Sequence, residues 1–86
     1  MEIKYSEKSV KELTRLLKGN RKSAENIIKT IESYAEDPSI NYDVKILKGT
    51  LGDFKRLRIR DYRIIFGDDG TTMLIYEIKH RKEAYR

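Results

Sequence analysis

The chain has 86 residues, of which 38% are charged, with one His and no Cys or Trp. This length allows a single small hydrophobic core, so we expect one domain over residues 1–86. Without Cys the chain cannot form disulfides, thiolate nucleophiles or zinc sites with cysteine ligands, and one His cannot build a multi-histidine metal site. We therefore expect no metal and no other cofactor.

The formal net charge is +5, from 19 Lys and Arg against 14 Asp and Glu. A basic balance favours a polyanionic partner, through counterion release and long-range attraction. The excess lies in the second half, since seven basic residues between Lys45 and Arg63 accompany only Asp53 and Asp61. No run of 18 apolar residues occurs and the N-terminus lacks a signal-peptide pattern. We expect a cytoplasmic protein without a membrane partner.

The first half of the chain predicts a short strand followed by two helices. Residues 2–5 alternate in polarity, and Ser6 can cap a helix whose apolar residues recur at helical spacing. Gly19-Asn20 ends that pattern, and a second apolar stripe runs from Ala24 to Ala35. Asp37-Pro38 ends the second helix, because proline cannot continue it.

The second half predicts strands. They are expected at Tyr42 to Leu47, Phe54 to Ile59, Arg63 to Phe66, and Met73 to Lys79. Asp61 and Asp68-Asp69-Gly70 indicate tight turns. We expect an α+β fold of order β-α-α-β-β-β-β, with the N-terminal helical hairpin packed on one face of a mostly antiparallel sheet. The other face is where we expect function.

One predicted strand carries a row of arginines. Strict alternation places Leu57 and Ile59 on one face and Arg56, Arg58 and Arg60 on the other. Arginines in line repel one another unless an anion lies across them. The row is either a solvated sheet face or a phosphate-binding surface that uses the bidentate guanidinium. Arg63 enters the next strand close to it.

Two residues near the C-terminus could take part in proton transfer or stacking. His80 titrates near neutrality, and its basic neighbours favour the neutral imidazole that a general base needs. Tyr85 could stack on a nucleobase. From the residues alone, an ordinary surface position is the commoner explanation of His80, and a ring lying over the sheet edge is the commoner explanation of Tyr85. We expect a structural role for Tyr5, Tyr34, Tyr42, Tyr62 and Tyr76.

An ordered set of short motifs resembles the RelE/ParE toxin superfamily. It consists of Leu47-Lys48-Gly49, Leu51-Gly52, the segment 54–63 (FKRLRIRDYR), the apolar run 64–66, and the closing segment 80–85. Together with the two predicted helices, the resemblance spans the whole chain.

The resemblance implies a toxin of a toxin–antitoxin pair. RelE-like members cut mRNA in the ribosomal A site without a metal: the 2′-hydroxyl attacks the adjacent phosphorus and leaves a 2′,3′-cyclic phosphate. ParE-like members share the fold but inhibit DNA gyrase, and an inactive member could survive as a co-repressor. The implied partners are a cognate antitoxin, which we expect to mask the basic face directly, and the ribosome with its mRNA.

The resemblance also assigns site residues. Arg56 and Arg58 match two basic positions that are often lysine in the family, and Arg63 matches the arginine after the tyrosine. Because arginine stays protonated, it suits a phosphate clamp better than a base. The implied catalytic residues, expected to meet on one face, are Arg56, Arg58, Arg63, His80, Arg81 and Tyr85, with His80 the preferred base. The implied RNA-binding residues are Lys48, Lys55, Arg60, Lys79 and Lys82.

Overall fold

The structure, a computed structural model, describes residues 1–40, 42–47 and 54–84. Its elements are β1 (Glu2–Tyr5), α1 (Glu7–Gly19), α2 (Arg21–Glu36), β2 (Val44–Leu47), β3 (Phe54–Ile59), β4 (Tyr62–Asp68), β5 (Thr72–His80) and α3 (Arg81–Ala84). This order confirms the predicted fold class and adds a single helical turn, α3, after the last strand. No helix in these ranges is long and apolar enough to cross a membrane.

The two long helices are joined at a single residue. Ser6 caps α1 by accepting a hydrogen bond from the Ser9 amide. Asn20 donates its amide to the Leu16 carbonyl, which ends α1, and its side chain accepts from the Ser23 amide, which begins α2. One asparagine therefore caps both helices, and the hairpin turns without a separate loop.

The five strands form one sheet in the order β1-β5-β4-β3-β2. β1 pairs with β5 in parallel, and the other neighbours pair antiparallel. The helices cover one face of the sheet, here called the helix face, and the opposite face is called the open face. The core on the helix face is formed by Ala24, Ile27, Ile31, Tyr34, Ala35, Leu57, Ile59, Ile64, Phe66, Met73, Ile75 and Ile78.

A β-bulge interrupts the pairing of β4 with β5. Ile65 lies opposite Glu77 and Phe66 lies opposite Ile75, so Tyr76 has no cross-strand partner. Side chains alternate between faces along a regular strand, but the buried residues Ile75 and Ile78 are three positions apart. The extra residue shifts the alternation of β5 by one position. Every residue after Tyr76 therefore lies on the face opposite to the one that regular alternation predicts.

Helix α1 covers the part of the β5 edge that β1 leaves unpaired. β1 reaches only to Ile75. Beyond that point the Ser6 hydroxyl donates to the Tyr76 carbonyl at 2.8 Å, and the Ile78 amide donates to Glu12 Oε1 at 2.9 Å. The N-cap residue Ser6 and the α1 residue Glu12 therefore provide hydrogen bonds that an adjacent strand would otherwise make at this edge.

Candidate functional site

The strand register places three basic residues in a row across the open face. Arg58 of β3 lies directly opposite Arg63 of β4, and Arg63 lies opposite Lys79 of β5. Arg56 precedes Arg58 by two positions and lies on the same face, opposite Lys45 of β2. We call Arg56, Arg58 and Arg63 the arginine cluster; adjacent strands bring them together more closely than one strand alone could.

The positive charge of the arginine cluster is neutralised only in part by carboxylates of the protein. Arg56 makes an ion pair with Asp43, with 3.4 Å between Nη2 and Oδ1, and its side chain is 19% exposed. The Nε atoms of Arg56 and Arg63 are buried and have no hydrogen-bond partner. In the described part of the chain, no carboxylate forms an ion pair with Arg58 or Arg63. Because like charges on opposed strands repel and an unpaired buried donor is unfavourable, an oxyanion bound here would relieve both effects.

Lys79 extends the row, but its charge is engaged by the protein itself. Its Nζ lies 3.3 Å from Glu12 Oε2 and 4.0 Å from Glu77 Oε1. The same Glu12 side chain accepts the Ile78 amide through its other oxygen. Lys79 is thus held toward α1 by its carboxylate partners.

His80 does not join the arginine cluster. It pairs with Tyr62, and its ring meets the Tyr62 ring edge-on at a centroid distance of 5.1 Å. Both residues line a cavity of about 300 Å³ beside Leu16 and Ile78 on the helix face. The expectation that His80 meets the arginines on one face is therefore wrong, because the bulge at Tyr76 turns His80 to the other side.

The remaining predicted residues lie apart from the arginine cluster. Lys55 lies on the helix face, with its Nζ 3.1 Å from Asp68 Oδ2, so it does not join the arginine cluster, and its expected contact with RNA stays a prediction. Arg60 leaves the row because β3 ends before it: it occupies the turn, with φ +53°. Arg81 Nη1 is 3.8 Å from Asp61 Oδ1, and Lys82 is exposed beside it in α3. Lys48 and Tyr85 lie outside the described residues.

Sequence reasoning missed an aromatic pair on the open face. The rings of Phe54 and Tyr76 meet edge-to-face with centroids 5.0 Å apart, on either side of Gly67. Tyr76 was expected to be structural, but it is exposed and lies outside the core. Alternation alone places Phe54 with Arg56 and Arg58, whereas the position of the bulge at Tyr76 depends on how β5 pairs with β4.

The helical hairpin, the five-stranded sheet and the arginine cluster define the class of small basic toxins that the motifs suggested. Residues 3–85 match the family described as "ParE toxin of type II toxin-antitoxin system, parDE", and the chain belongs to this family. The resemblance to the RelE/ParE toxins is thereby confirmed. A search of curated protein sequences finds no match.

Solved toxin structures share the fold. A chain of the archaeal RelE–RelB complex from Pyrococcus horikoshii OT3 superposes with a TM-score of 0.75 and 25% identity, covering 93% of both chains. The RelB–RelE complex from Methanococcus jannaschii gives a TM-score of 0.68 and 26% identity, covering 95% of this chain and 94% of the other. The YoeB dimer from Staphylococcus aureus gives a TM-score of 0.77 and 16% identity, covering 93% of this chain and 95% of the other. The protein is a type II toxin with the fold of RelE and YoeB.

No group of three or more potential metal ligands occurs among residues 1–40, 42–47 and 54–84. The arginine cluster itself offers only cationic donors, which bind anions and repel metal ions.

Proposed function

We propose that this toxin is an endoribonuclease that cleaves mRNA on the ribosome, in the cytoplasm, and that its arginine cluster holds the scissile phosphate. One observation carries the proposal: Arg58 and Arg63 lie directly opposite each other, and the Nε of Arg63 is buried without an acceptor. Two guanidiniums in this arrangement can approach the two non-bridging oxygens of one phosphate. The Arg56 side chain lies alongside and adds a third donor group.

The reaction follows from what arginine can and cannot do. The 2′-oxygen of the substrate loses its proton and attacks the adjacent phosphorus, and the bond to the 5′-oxygen breaks. The products are a 2′,3′-cyclic phosphate and a 5′-hydroxyl, which takes up a proton. Arginine stays protonated, so the arginine cluster stabilises the negative charge that develops on the phosphorus oxygens. His80, the preferred base, lies on the helix face, and Tyr85, which the resemblance also placed among the catalytic residues, is the remaining candidate for accepting the proton of the 2′-hydroxyl.

We propose that the toxin is neutralised by a cognate antitoxin that covers the arginine cluster. The solved relatives include RelE with RelB and YoeB with YefM, in each case a toxin with its antitoxin. An acidic segment laid across the open face would satisfy the same donors as the phosphate. This predicts that RNA and antitoxin compete for the toxin.

A second candidate function, inhibition of DNA gyrase, is favoured by the description of the matching family. A gyrase inhibitor binds a protein surface and performs no chemistry. For such a role, three arginines opposed on two strands would have no evident use. The proposal of RNA cleavage accounts for the arginine cluster, so we place it first.

The test is primer extension on a defined mRNA with stalled ribosomes, comparing the wild type, Arg63→Ala and the matched control Arg21→Ala. Arg21 is exposed on α2 and pairs only with Glu25. We expect new 5′ ends in the A-site codon with the wild type and Arg21→Ala, and none with Arg63→Ala. Cleavage of mRNA without ribosomes would retain the nuclease but not its ribosome dependence. No cleavage, together with DNA breaks in gyrase assays, would establish the second candidate.

A further inference from the structure

The β-bulge of β5 directs Tyr76 onto the open face. As the residue without a cross-strand partner, Tyr76 is 37% exposed, although the strand residues Ile75 and Ile78 on the opposite face are buried. Bulges occur preferentially next to functional sites, where they re-aim a side chain. A large aromatic ring outside the core contributes little to the burial that stabilises this fold, which calls for another explanation of its position.

The Tyr76 ring lies over Gly67 of β4. A Cβ built on Gly67 would lie 3.4 Å from Cε2 of Tyr76, an ordinary van der Waals contact, so the ring covers the strand at this position. Phe54 packs against the ring in an edge-to-face arrangement, with 5.0 Å between the centroids, and restricts its orientation. Beside the ring is a shallow depression of about 340 Å³, lined by Gly67, Asp68, Asp69, Thr72, Leu74 and Tyr76.

This aromatic surface is continuous with the arginine cluster. Phe54 precedes Arg56 by two positions on the same face of β3, which corresponds to about 7 Å along the strand. Ile65, opposite Arg56, precedes Gly67 by two positions on β4. A strand of RNA whose phosphate lies on the arginine cluster would therefore carry a neighbouring base to the depression.

We propose that Phe54, Gly67, Leu74 and Tyr76 form a nucleobase-binding platform for the RNA strand held by the arginine cluster. This rests on the proposed function and adds to it a second contact point. Every nucleobase has a π face that can stack on an aromatic ring, so the platform binds single-stranded RNA without a strong sequence preference. An apolar peptide would also fit the ring, but the arginine cluster beside Phe54 favours a partner that alternates flat apolar groups with negative charges. Asp68 and Asp69, which also line the depression, favour an uncharged group such as a base there rather than a phosphate.

The test measures binding of a short fluorescein-labelled single-stranded RNA to the wild type, Tyr76→Phe and Tyr76→Leu by fluorescence anisotropy. Phenylalanine preserves the ring, whereas leucine preserves apolar contact with Phe54 but cannot stack. We expect Tyr76→Phe to bind as the wild type does and Tyr76→Leu to bind about tenfold more weakly. Thermal unfolding of both variants, followed by circular dichroism, checks that each is folded.

A second readout reports stacking itself. The same RNA carries 2-aminopurine at each position in turn, since stacking on an aromatic ring quenches its fluorescence. We expect the wild type and Tyr76→Phe to quench one position strongly and Tyr76→Leu to leave that position bright. If leucine acted only by disturbing the structure, RNA would bind more weakly, but in the complex that still forms the 2-aminopurine at the stacked position would remain quenched.

The outcomes separate this proposal from the one on which it rests. If Tyr76→Leu binds RNA as the wild type does while Arg63→Ala binds more weakly, the platform is overturned and the arginine cluster stands. If the wild type binds no free RNA, the platform is overturned, and primer extension on stalled ribosomes decides the proposed function separately. If Tyr76→Leu weakens only the binding of antitoxin, the platform contacts the antitoxin, and the nucleobase assignment is overturned.

Discussion

The imidazole of His80 stands edge-on to the ring of Tyr62, with 5.1 Å between the centroids and 89° between the planes. The next residue of β4, Arg63, lies opposite Lys79, the residue before His80 in β5. Neighbouring residues of a strand point to opposite faces, so the sheet itself separates the imidazole from the arginine cluster. The histidine of this chain therefore lines the cavity beside α1 on the helix face.

Replacing His80 tests this separation. We expect His80→Ala to cleave mRNA as the wild type does, and to lower the free energy of unfolding by about 1 kcal/mol through loss of the aromatic pair. Primer extension and urea unfolding measure the two effects. A folded His80→Ala protein that no longer cleaves mRNA would contradict the placement and restore His80 as a proton acceptor.

The fold could be predicted because its signals are local. Apolar residues at helical spacing, from Ala24 to Ala35, and alternating residues, from Phe54 to Ile59, distinguish helix from strand without any knowledge of tertiary contacts. Asn20 and Pro38 then mark helix boundaries through backbone chemistry that operates in any context. The element order followed from these signals, and the structure confirms it.

The site could be predicted only in part, because its geometry depends on register. Alternation alone places Lys55 with Leu57 and away from Arg56, and it would have assigned Lys55 to the helix face. Regular alternation along β5 would put His80 on the same face as Tyr76. The bulge reverses this. The apolar residues of β5 change phase between Ile75 and Ile78, but only the pairing with β4 shows which residue is the extra one.

The opposed arginines predict a stability cost at low salt. Arg58 is exposed and faces Arg63 across the β3–β4 pair. We expect Arg58→Gln to raise the free energy of unfolding by roughly 0.5 kcal/mol at low ionic strength, because it removes a like-charge pair. The gain should disappear in high salt, which screens the repulsion.

Arg58→Gln should also weaken RNA binding and make the affinity less dependent on salt. Each lost phosphate contact lowers the slope of log affinity against log salt by about 1. The matched control Arg21→Gln, on α2, should leave the salt dependence of RNA binding and the free energy of unfolding close to their wild-type values. Equal stability of Arg58→Gln and wild type at every salt concentration would mean that Arg58 and Arg63 do not repel each other in solution.

The β4–β5 turn contains a carboxylate whose ionised form is strongly favoured. Hydrogen bonds from the Thr72 amide, the Thr71 amide and the Thr71 hydroxyl lower the pKa of Asp69 from 3.8 to about 2. Because the folded value lies below the unfolded one, the stabilisation is complete above the unfolded value and is lost as pH falls from 3.8 to about 2. We expect the stability difference between the wild type and Asp69→Ala to be constant at neutral pH and to shrink over this window.

Urea unfolding at a series of pH values measures the difference. Asp69→Asn is the matched control, since it keeps an oxygen acceptor for the turn but cannot titrate. Its stability relative to Asp69→Ala should stay constant across the same window. If the stability difference between the wild type and Asp69→Ala persists unchanged at the lowest pH, the turn does not depend on the ionised carboxylate.

Glu12 joins α1 to the unpaired edge of β5, and its removal should loosen that edge. One carboxylate oxygen accepts the Ile78 amide at 2.9 Å and the other lies 3.3 Å from Lys79 Nζ. We expect Glu12→Ala to lower the free energy of unfolding by about 1–2 kcal/mol, since a partly buried amide loses its acceptor. Glu25→Ala, which removes an exposed ion pair with Arg21, should lower the free energy of unfolding much less.

Amide hydrogen exchange at Ile78 is the specific readout: we expect it to accelerate in Glu12→Ala and to remain slow in Glu25→Ala. Unchanged exchange at Ile78 would mean that α1 does not protect the β5 edge.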